Sequence, residues 1–411
     1  MIAADQISYE DLYARWEQGN WSATGIDFSV DRRQWQAEFS DLERRAALWT
    51  YAMFLHGEDV VADTLSPYID AAPLEAQKYF LATQQADEAR HAVMFSRFMR
   101  EVAHVGSDAP STLAASGGTL TWGFRKVFGR LEKMASELRR ERSKPKLAQA
   151  ITLYHLVIEA SIAQPGQHFI EASLSRRNQL PGLLEGVRNV SRDEQRHIAF
   201  GVKMIADLVR EDPDSEPAIA ELLREILPYM SALFVPPGWD ERYVTLFGFT
   251  LEDVYAHGAE ALEGRLRAAG LRPEAMRIGM PFDQPPRERA RRALALLRAG
   301  YLGEPGSFAG PDPKATALLF DSLRRQVDTA RRATIQWEFT DAEPWYLRID
   351  NGATAAAPGR AQHPDLTFRC RLEDWVDITA GRTTPLEALA RGRLRPRGNP
   401  RMLLRARALL S

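Results

Sequence analysis

Residues 87–91 (DEARH) and 193–197 (DEQRH) decide how this sequence folds. Each stretch contains Glu-x-x-His, and residues i and i+3 share one face of a helix, so a carboxylate and an imidazole can bind the same ion. One such motif is common by chance. A second copy, with the same flanking Asp and Arg and on an equally strong helical pattern, indicates a site built from two helices.

Four glutamates occupy positions that helical periodicity assigns to the core. Glu58 lies between Leu55 and Ala62 on an apolar stripe, and Glu159 lies within the apolar run 153–160. Glu88 and Glu194 lie on similar stripes. Taken alone, any one of these glutamates is as consistent with a solvated surface residue as with a metal ligand. Four unpaired carboxylates facing one another in an apolar interior would be strongly destabilising, so the pattern predicts compensating cations.

The number of candidate ligands fits a dinuclear site. A four-helix bundle can supply one Glu from each of two helices and Glu-x-x-His from each of the other two. Oxygen-rich ligands with one imidazole per ion suit Fe or Mn. We expect Asp87 and Asp193 to accept hydrogen bonds from the imidazoles, and His155 to be a neighbour of the site rather than a ligand. The predicted metal ligands are Glu58, Glu88, His91, Glu159, Glu194 and His197.

Composition excludes several classes of protein. The chain has 411 residues, of which 45% are hydrophobic and 26% charged, with a net charge of −2. These values are typical of globular proteins with two or three domains, and they give no reason to expect nucleic-acid binding. No apolar run is long enough for a membrane span, and no secretory signal is recognisable, so a cytoplasmic location is expected. Cys370 is the single cysteine, which excludes an internal disulfide and a Cys-based zinc site.

The chain reads as two domains joined by a linker. Residues 1–299 are predicted to be helical, 300–313 form a Gly/Pro-rich linker, and 314–411 form a small α+β domain. Pro165-Gly166 predicts a kink or break in its helix, and Asn351-Gly352 predicts a hairpin turn. Residues 106–118 are predicted to be a loop. Strands are predicted at 333–340, 344–350 and 365–371, and helices at 40–66, 73–104, 121–140, 146–175, 183–211, 216–234, 251–269, 314–330, 372–380, 385–391 and 400–410.

Residues 10–235 resemble the ligand-binding oxidases related to the ribonucleotide reductase small subunit. The resemblance is carried by residues 20–35 (NWSATGIDFSVDRRQW), 57–61 (GEDVV), 87–91, 154–159 (YHLVIE) and 193–201 (DEQRHIAFG). It implies a ferritin-like four-helix bundle, a Mn/Fe or Fe/Fe centre, O2 as co-substrate and a bound long-chain fatty acid or other lipid-like molecule.

The same resemblance assigns roles to two further residues. In that family a valine three residues after the first Glu becomes ether-linked to a tyrosine five residues before the third-helix Glu. The matching residues here are Val61 and Tyr154. A true reductase subunit carries a radical tyrosine seven residues after the Glu of its first Glu-x-x-His; this chain has Phe95 there, so ribonucleotide reduction is disfavoured.

The C-terminal region resembles a sterol carrier protein two domain, on residues 345–349 (WYLRI), 363–368 (HPDLTF) and 372–375 (LEDW). Such domains hold lipids or acyl chains in an apolar tunnel. The alternative is a dimerisation or shielding module, and a homodimer is one of the expected assemblies.

These observations favour an O2-activating oxidase that performs two-electron C–H oxidation, either on a bound lipid-like substrate or by joining Val61 to Tyr154. One alternative is a diiron hydroxylase or N-oxygenase that acts on a polar metabolite. Another is a lipid-binding carrier protein whose metal site is only structural.

Overall fold

The computed structural model describes residues 7–327, 332–350 and 352–398. It is mostly α-helical. The α-helices are α1 Tyr9–Gln18, α2 Ser29–Ala37, α3 Asp41–Thr64, α4 Ser66–Ala71, α5 Glu75–Glu101, α6 Ala109–Ser116, α7 Trp122–Leu138, α8 Lys144–Ile151, α9 Gln164–Arg177, α10 Pro181–Glu211, α11 Ser215–Ser231, α12 Arg242–Thr245, α13 Leu251–Ala268, α14 Pro286–Arg298, α15 Pro313–Gln326, α16 Leu372–Thr379 and α17 Pro385–Ala390. Short 3₁₀ turns occupy Ala23–Gly25, Gly117–Thr119, Pro237–Trp239 and Pro273–Ala275.

A ferritin-like bundle forms the core of the N-terminal part. Its four helical rods are α3, α5, α10 and the rod that runs from α8 to α9. Helix α3 packs against α5, and α10 packs against the rod from α8 to α9. The start of α3 was predicted from its capping box, and the structure confirms it. The Ser40 hydroxyl accepts from the backbone N–H of Glu43, and the Glu43 carboxylate accepts from the backbone N–H of Ser40.

The rod from α8 to α9 differs from its prediction. We expected Pro165-Gly166 to kink or break it, but the backbone stays helical at Ala163 and Gln164 and continues to Arg177. The irregularity is a π-helix over Thr152–Ala163, closed by a hydrogen bond from the Gln164 N–H to the Glu159 carbonyl. Because that bond spans five residues, the turn before Pro165 is wider than an α-turn.

Residues 106–118 contain a helix where a loop was predicted. Asp108 caps the backbone N–H of Ser111, and Pro110 lies in the first turn of α6. Both features favour a helix start, and they were overlooked because the segment is small and polar throughout.

The C-terminal part is built on a five-stranded sheet in the order β3-β2-β1-β4-β5. Strands β1 and β4 are parallel, and the other neighbours are antiparallel. Gly352 has a φ of +87° and β2 pairs with β3 across it, which confirms the predicted hairpin. The helix predicted at 400–410 lies outside the described residues. The strands are β1 Ala333–Phe339, β2 Trp345–Asp350, β3 Ala353–Pro358, β4 Leu366–Cys370 and β5 Arg395–Gly398.

The described residues fall into two compact units. The first lies within Met1–Ile219 and Phe234–Arg272, and the second lies within Ala220–Leu233 and Pro273–Ser411. The domain boundaries proposed from the sequence, with a linker at 300–313, stay a prediction. No helix in the described part of the chain is long and apolar enough to cross a membrane.

Candidate metal centre

All six predicted ligands lie together in the interior of the bundle. Each is at most 5% exposed. Helix α3 supplies one glutamate, the π-helical segment supplies a second, and α5 and α10 each supply a Glu-x-x-His pair. The six are Glu58, Glu88, His91, Glu159, Glu194 and His197.

Glu88 lies between the two imidazoles. Its Oε2 atom is 3.3 Å from Nδ1 of His91, and its Oε1 atom is 3.3 Å from Nδ1 of His197. The ligating atoms form two groups that could each hold a metal ion, and within each group these atoms lie within 4.8 Å of one another. One group contains Glu58, Glu88, His91 and Glu194, and the other contains Glu88, Glu159 and His197. Because Glu88 belongs to both groups, its carboxylate could hold an ion in each of them.

Glu194 occupies a similar position between the imidazoles, since its two oxygens lie 3.8 Å from Nδ1 of His91 and 3.7 Å from Nδ1 of His197. The remaining carboxylates lie at the two ends. Glu58 is 3.3 Å from the Nδ1 atom of His91, and Glu159 is 3.6 Å from that of His197. The arrangement therefore has two central and two terminal carboxylates, with one imidazole for each half.

The aspartates that precede the motifs hold the imidazoles in a crossed arrangement. Asp87 accepts from Nε2 of His197 at 3.1 Å, and Asp193 accepts from Nε2 of His91 at 3.2 Å. This confirms that both aspartates accept hydrogen bonds from imidazoles, although each serves the histidine of the other motif. A proton on Nε2 leaves Nδ1 as the lone-pair donor that faces the carboxylates.

Four side chains that the sequence reasoning missed bind the same aspartates, and one of them is Arg90, which donates to Asp87 and pairs with Asp193. Arg196 donates to both Asp87 and Asp193, at 2.8 Å each. The indole of Trp16 donates to Asp87 at 2.9 Å, and that of Trp21 donates to Asp193 at 2.7 Å. The repeated Arg within the two motifs was a visible signal for the first contact, but no spacing rule connects the tryptophans of the N-terminal region to the bundle.

The electrostatics of the cluster call for cations. Burial raises the pKa of Glu58 to about 8, and burial likewise raises the pKa values of Glu159 and Glu194. Burial also opposes the ionisation of Glu88, but the charges of His197 and His91 outweigh it and lower its pKa to about 2. The protein alone thus leaves the cluster with several carboxylates that are costly to ionise.

Orphaned ligand atoms test whether the residues fit metal ions. Oε2 of Glu159, Oε2 of Glu194 and Nδ1 of His197 are buried and have no hydrogen-bond partner among the described residues. Buried polar atoms usually have partners, so these atoms are free to coordinate. A set of four carboxylates and two imidazoles suits two Fe or Mn ions.

His155 contacts the site through Gln84. Its Nε2 atom lies 3.0 Å from the Gln84 carbonyl oxygen, and the Gln84 amide donates to Glu159 at 2.7 Å and to Glu88 at 3.2 Å. The prediction that His155 is a hydrogen-bonded neighbour is confirmed. Gln84 was not singled out from the sequence, although it lies on the same helical stripe one turn before Glu88.

Tyr154 reaches the site from the π-helical segment. Its ring is fully buried, and its hydroxyl lies 3.2 Å from Oε1 of Glu88 and 3.4 Å from the carbonyl oxygen of Val61. Burial, reinforced by the charges of Glu88 and Glu159, raises the pKa of this phenol well above its ordinary value. On an α-helix, residues five apart point in different directions, whereas in a π-helix they are joined by one turn. The π-helix therefore accounts for Tyr154 and Glu159 facing the same centre.

Phe95, which stands where a reductase has its radical tyrosine, is fully buried and stacks on Phe54 with ring centroids 5.3 Å apart. It carries no oxygen.

Comparison with known proteins agrees with this geometry. Residues 3–229 match the model of the family described as ribonucleotide reductase, small chain, and residues 318–411 match the SCP-2 sterol transfer family. Several solved structures are similar in fold. An R2-like ligand-binding oxidase from Sulfolobus acidocaldarius has 24% sequence identity and a TM-score of 0.53, and the match covers 68% of this chain and 93% of that one.

Two engineered variants of an R2-like ligand-binding oxidase are also similar, each with 23% identity over 64% of this chain and 93% of the other. One is a valine-to-leucine variant with an anaerobically reconstituted Mn/Fe cofactor, at a TM-score of 0.56. The other is a tyrosine-to-phenylalanine variant with an aerobically reconstituted Mn/Fe cofactor, at a TM-score of 0.54. At these identities the likeness establishes the shared fold. The ribonucleotide reductase small-chain model matches more than half of the residues of this chain, and this chain therefore belongs to that family.

Proposed function

We propose that this protein is a dinuclear Mn/Fe or Fe/Fe oxidase that activates O2 for two-electron oxidation of C–H bonds. Its proposed metal ligands are Glu58, Glu88, His91, Glu159, Glu194 and His197. The observation that carries the proposal is the position of Glu88, with one oxygen 3.3 Å from each imidazole. When bound, the two ions would supply the reduction of O2, which side chains cannot perform.

The side chains of the protein prepare the site for this chemistry. The crossed Asp–His hydrogen bonds orient the imidazoles, and Gln84 orients Glu159 and Glu88. Metal-binding histidines commonly need such partners to keep their affinity. The bundle excludes water from the site, because every proposed ligand is buried, and exclusion of water protects a strong oxidant from side reactions.

Within the proposal, Val61 and Tyr154 are the protein groups that the oxidant acts on. Val61 is 4% exposed, and the Tyr154 hydroxyl lies beside its backbone. Breaking one C–H bond of Val61 and the O–H bond of Tyr154, and forming one C–O bond between them, releases two electrons and two protons, for which O2 is the acceptor. A bound lipid-like molecule, such as a long-chain fatty acid, is the alternative C–H donor.

The C-terminal region is proposed to bind lipid, because it matches the SCP-2 sterol transfer family. In this proposal the oxidase occupies residues 1–299 and the lipid-binding domain occupies 314–411. The proposal also includes a cytoplasmic location and assembly as a homodimer.

The decisive experiment is to load the full chain anaerobically with Fe(II), or with Mn(II) and Fe(II), and then admit O2. We expect two bound ions per chain and consumption of O2, measured by elemental analysis and an oxygen electrode. A double variant, Glu88→Ala with His197→Ala, is the matched control and should consume none above the buffer rate. Full metal loading without O2 uptake would refute the oxidase and leave a structural metal site.

Intact mass and O2 uptake together distinguish oxidation of Val61 from oxidation of a bound lipid-like molecule. Intact mass after exposure to O2 should fall by about 2 Da if Val61 and Tyr154 are joined, since two hydrogens leave. O2 uptake that leaves the mass unchanged and rises on addition of oleic acid would assign the oxidation to an external substrate.

A further inference from the structure

Two tryptophans are enclosed at the centre of the C-terminal sheet unit. Trp337 on β1 is 2% exposed, and Trp375 on α16 is fully buried. Their ring centroids are 5.2 Å apart. Both pack on Phe368 of β4, at 5.8 Å and 5.9 Å. The two indoles thus share one aromatic cluster, defined by Trp337, Phe368 and Trp375.

Neither indole nitrogen of this cluster has a hydrogen-bond partner among the described residues. An indole N–H is a donor only, and a buried tryptophan usually satisfies it. Leaving two such donors unpaired within one cluster is therefore unusual.

Gln336, the polar residue before Trp337 on β1, points to the opposite face of the sheet. Gln336 donates its amide to the Trp345 carbonyl at 2.9 Å, and its own oxygen accepts from the Ala361 N–H at 2.8 Å. Its hydrogen bonds go to backbone groups, and it supplies no acceptor to either indole.

We propose that Trp337 and Trp375 bind the oxygen atom of a lipid-like ligand inside the C-terminal unit. This inference rests on the proposed lipid-binding role of that unit and adds the chemistry of recognition. Two neutral donors within aromatic walls suit an acceptor oxygen on an apolar body. The carboxyl oxygen of an acyl chain and the hydroxyl oxygen of a sterol share that chemistry, whereas a pure hydrocarbon lacks it.

The indole N–H signals give a direct test. The chain has nine tryptophans, so full-length protein labelled with 15N-tryptophan gives a tractable NMR spectrum. Trp337→Phe and Trp375→Phe each remove one signal and so assign it. We expect both assigned signals to move downfield with oleic acid, with cholesterol or with both, and to stay in place with 1-octadecene. Unmoved signals under saturating oleic acid and cholesterol would overturn the proposal.

Ligand competition measures how much each indole N–H donor contributes to the affinity for an oxygenated ligand. Displacement of the fluorescent fatty acid cis-parinaric acid from full-length protein compares oleic acid and cholesterol with 1-octadecene. One donor typically contributes about a factor of ten in affinity, so Trp337→Phe and Trp375→Phe should each reduce the preference for the oxygenated ligand about tenfold. Trp345→Phe is the matched control, since Trp345 stacks on Phe320 in the same core, and it should keep the preference.

The outcomes also separate this inference from the function on which it rests. If cis-parinaric acid does not bind, lipid binding itself fails. If it binds but 1-octadecene competes as well as both oxygenated ligands, or if the preference survives in both variants, lipid binding stands and the role of the indoles is refuted.

Discussion

Oδ2 of Asp87 lies 3.1 Å from Nε2 of His197, so the aspartate of the first Glu-x-x-His motif orients the histidine of the second. The reverse pair, Asp193 and His91, has the same geometry at 3.2 Å. Arg196 donates to both aspartates and closes the network. Neither motif is therefore complete without the other, and a change in one helix would alter the position of the imidazole on the opposite helix.

This crossing predicts which ion each aspartate supports. Asp87→Asn should weaken the ion held beside His197 by about 10–100-fold, the usual effect of removing a carboxylate partner from a metal-binding histidine. Asp193→Asn should instead weaken the ion beside His91. Anomalous diffraction from metal-loaded crystals distinguishes the two positions by occupancy.

Asp207→Asn is the matched control, because Asp207 accepts from the Tyr9 hydroxyl and from neither imidazole. It should leave both occupancies unchanged. Loss of the ion beside His91 in Asp87→Asn, with the other retained, would contradict the crossed arrangement.

Removal of a proposed ligand should lower metal content directly. Glu88→Ala or His197→Ala is expected to lose at least one of two ions per chain, because Glu88 faces both imidazoles and His197 is the imidazole of one group. Elemental analysis of purified protein measures this. Glu171→Ala is the control, because it removes a carboxylate paired with Arg188, and it should retain both ions. Equal metal content in the Glu88, His197 and Glu171 variants would exclude the assigned site.

The Val61–Tyr154 ether has a sharp chemical readout. After metal loading and exposure to air, peptide mapping should recover the peptides that bear these residues as one joined species. Tyr154→Phe should abolish it, because the phenol oxygen is gone. Tyr68→Phe is the control, since Tyr68 is equally buried and its ring packs edge-on against Tyr154 at 5.5 Å. Separate, unmodified peptides from fully loaded protein would rule the link out.

Close approach of helix α10 to the π-helical segment predicts a stability effect. A methyl group at Gly201 would overlap Cβ of His155. Gly201→Ala should therefore destabilise the fold by about 1–3 kcal/mol, as overpacking usually does. Gly129→Ala, where a methyl group meets no atom within 4 Å, should be neutral or stabilise by up to about 1 kcal/mol. Urea unfolding of the full chain, followed by circular dichroism, tests the pair; equal midpoints would contradict the predicted overlap.

Most of the bundle could be predicted because a helix displays its periodicity locally. The stripes around Glu58, Glu88 and Glu194 identified both the helices and the buried face of each one. The crossed pairing of Asp87 and Asp193 could not be predicted, since it depends on how two helices face each other. The donors Trp16 and Trp21 come from α1 and the segment after it, and no local pattern predicted that either indole reaches the metal centre.

The C-terminal sheet was predicted in part for similar reasons. The aromatic strands β1, β2 and β4 have strong strand propensity, and Gly352 was a clear turn signal. Strand β3, Ala353–Pro358, was missed because its alanines carry little strand preference. Its position is fixed by pairing with β2, which a local pattern does not contain.

The π-helix over Thr152–Ala163 makes the length of this segment as informative as its composition. Each residue added to or removed from a helix rotates everything beyond it by about 100°. Inserting a single residue between Tyr154 and Glu159 would turn the phenol away from the carboxylate it now accompanies, even if every other side chain were kept. Deleting one residue would instead leave the two four apart, a spacing that shares one face of an ordinary α-helix. In a comparison of relatives, an extra residue at this point should therefore mark a change of chemistry more reliably than a substitution nearby.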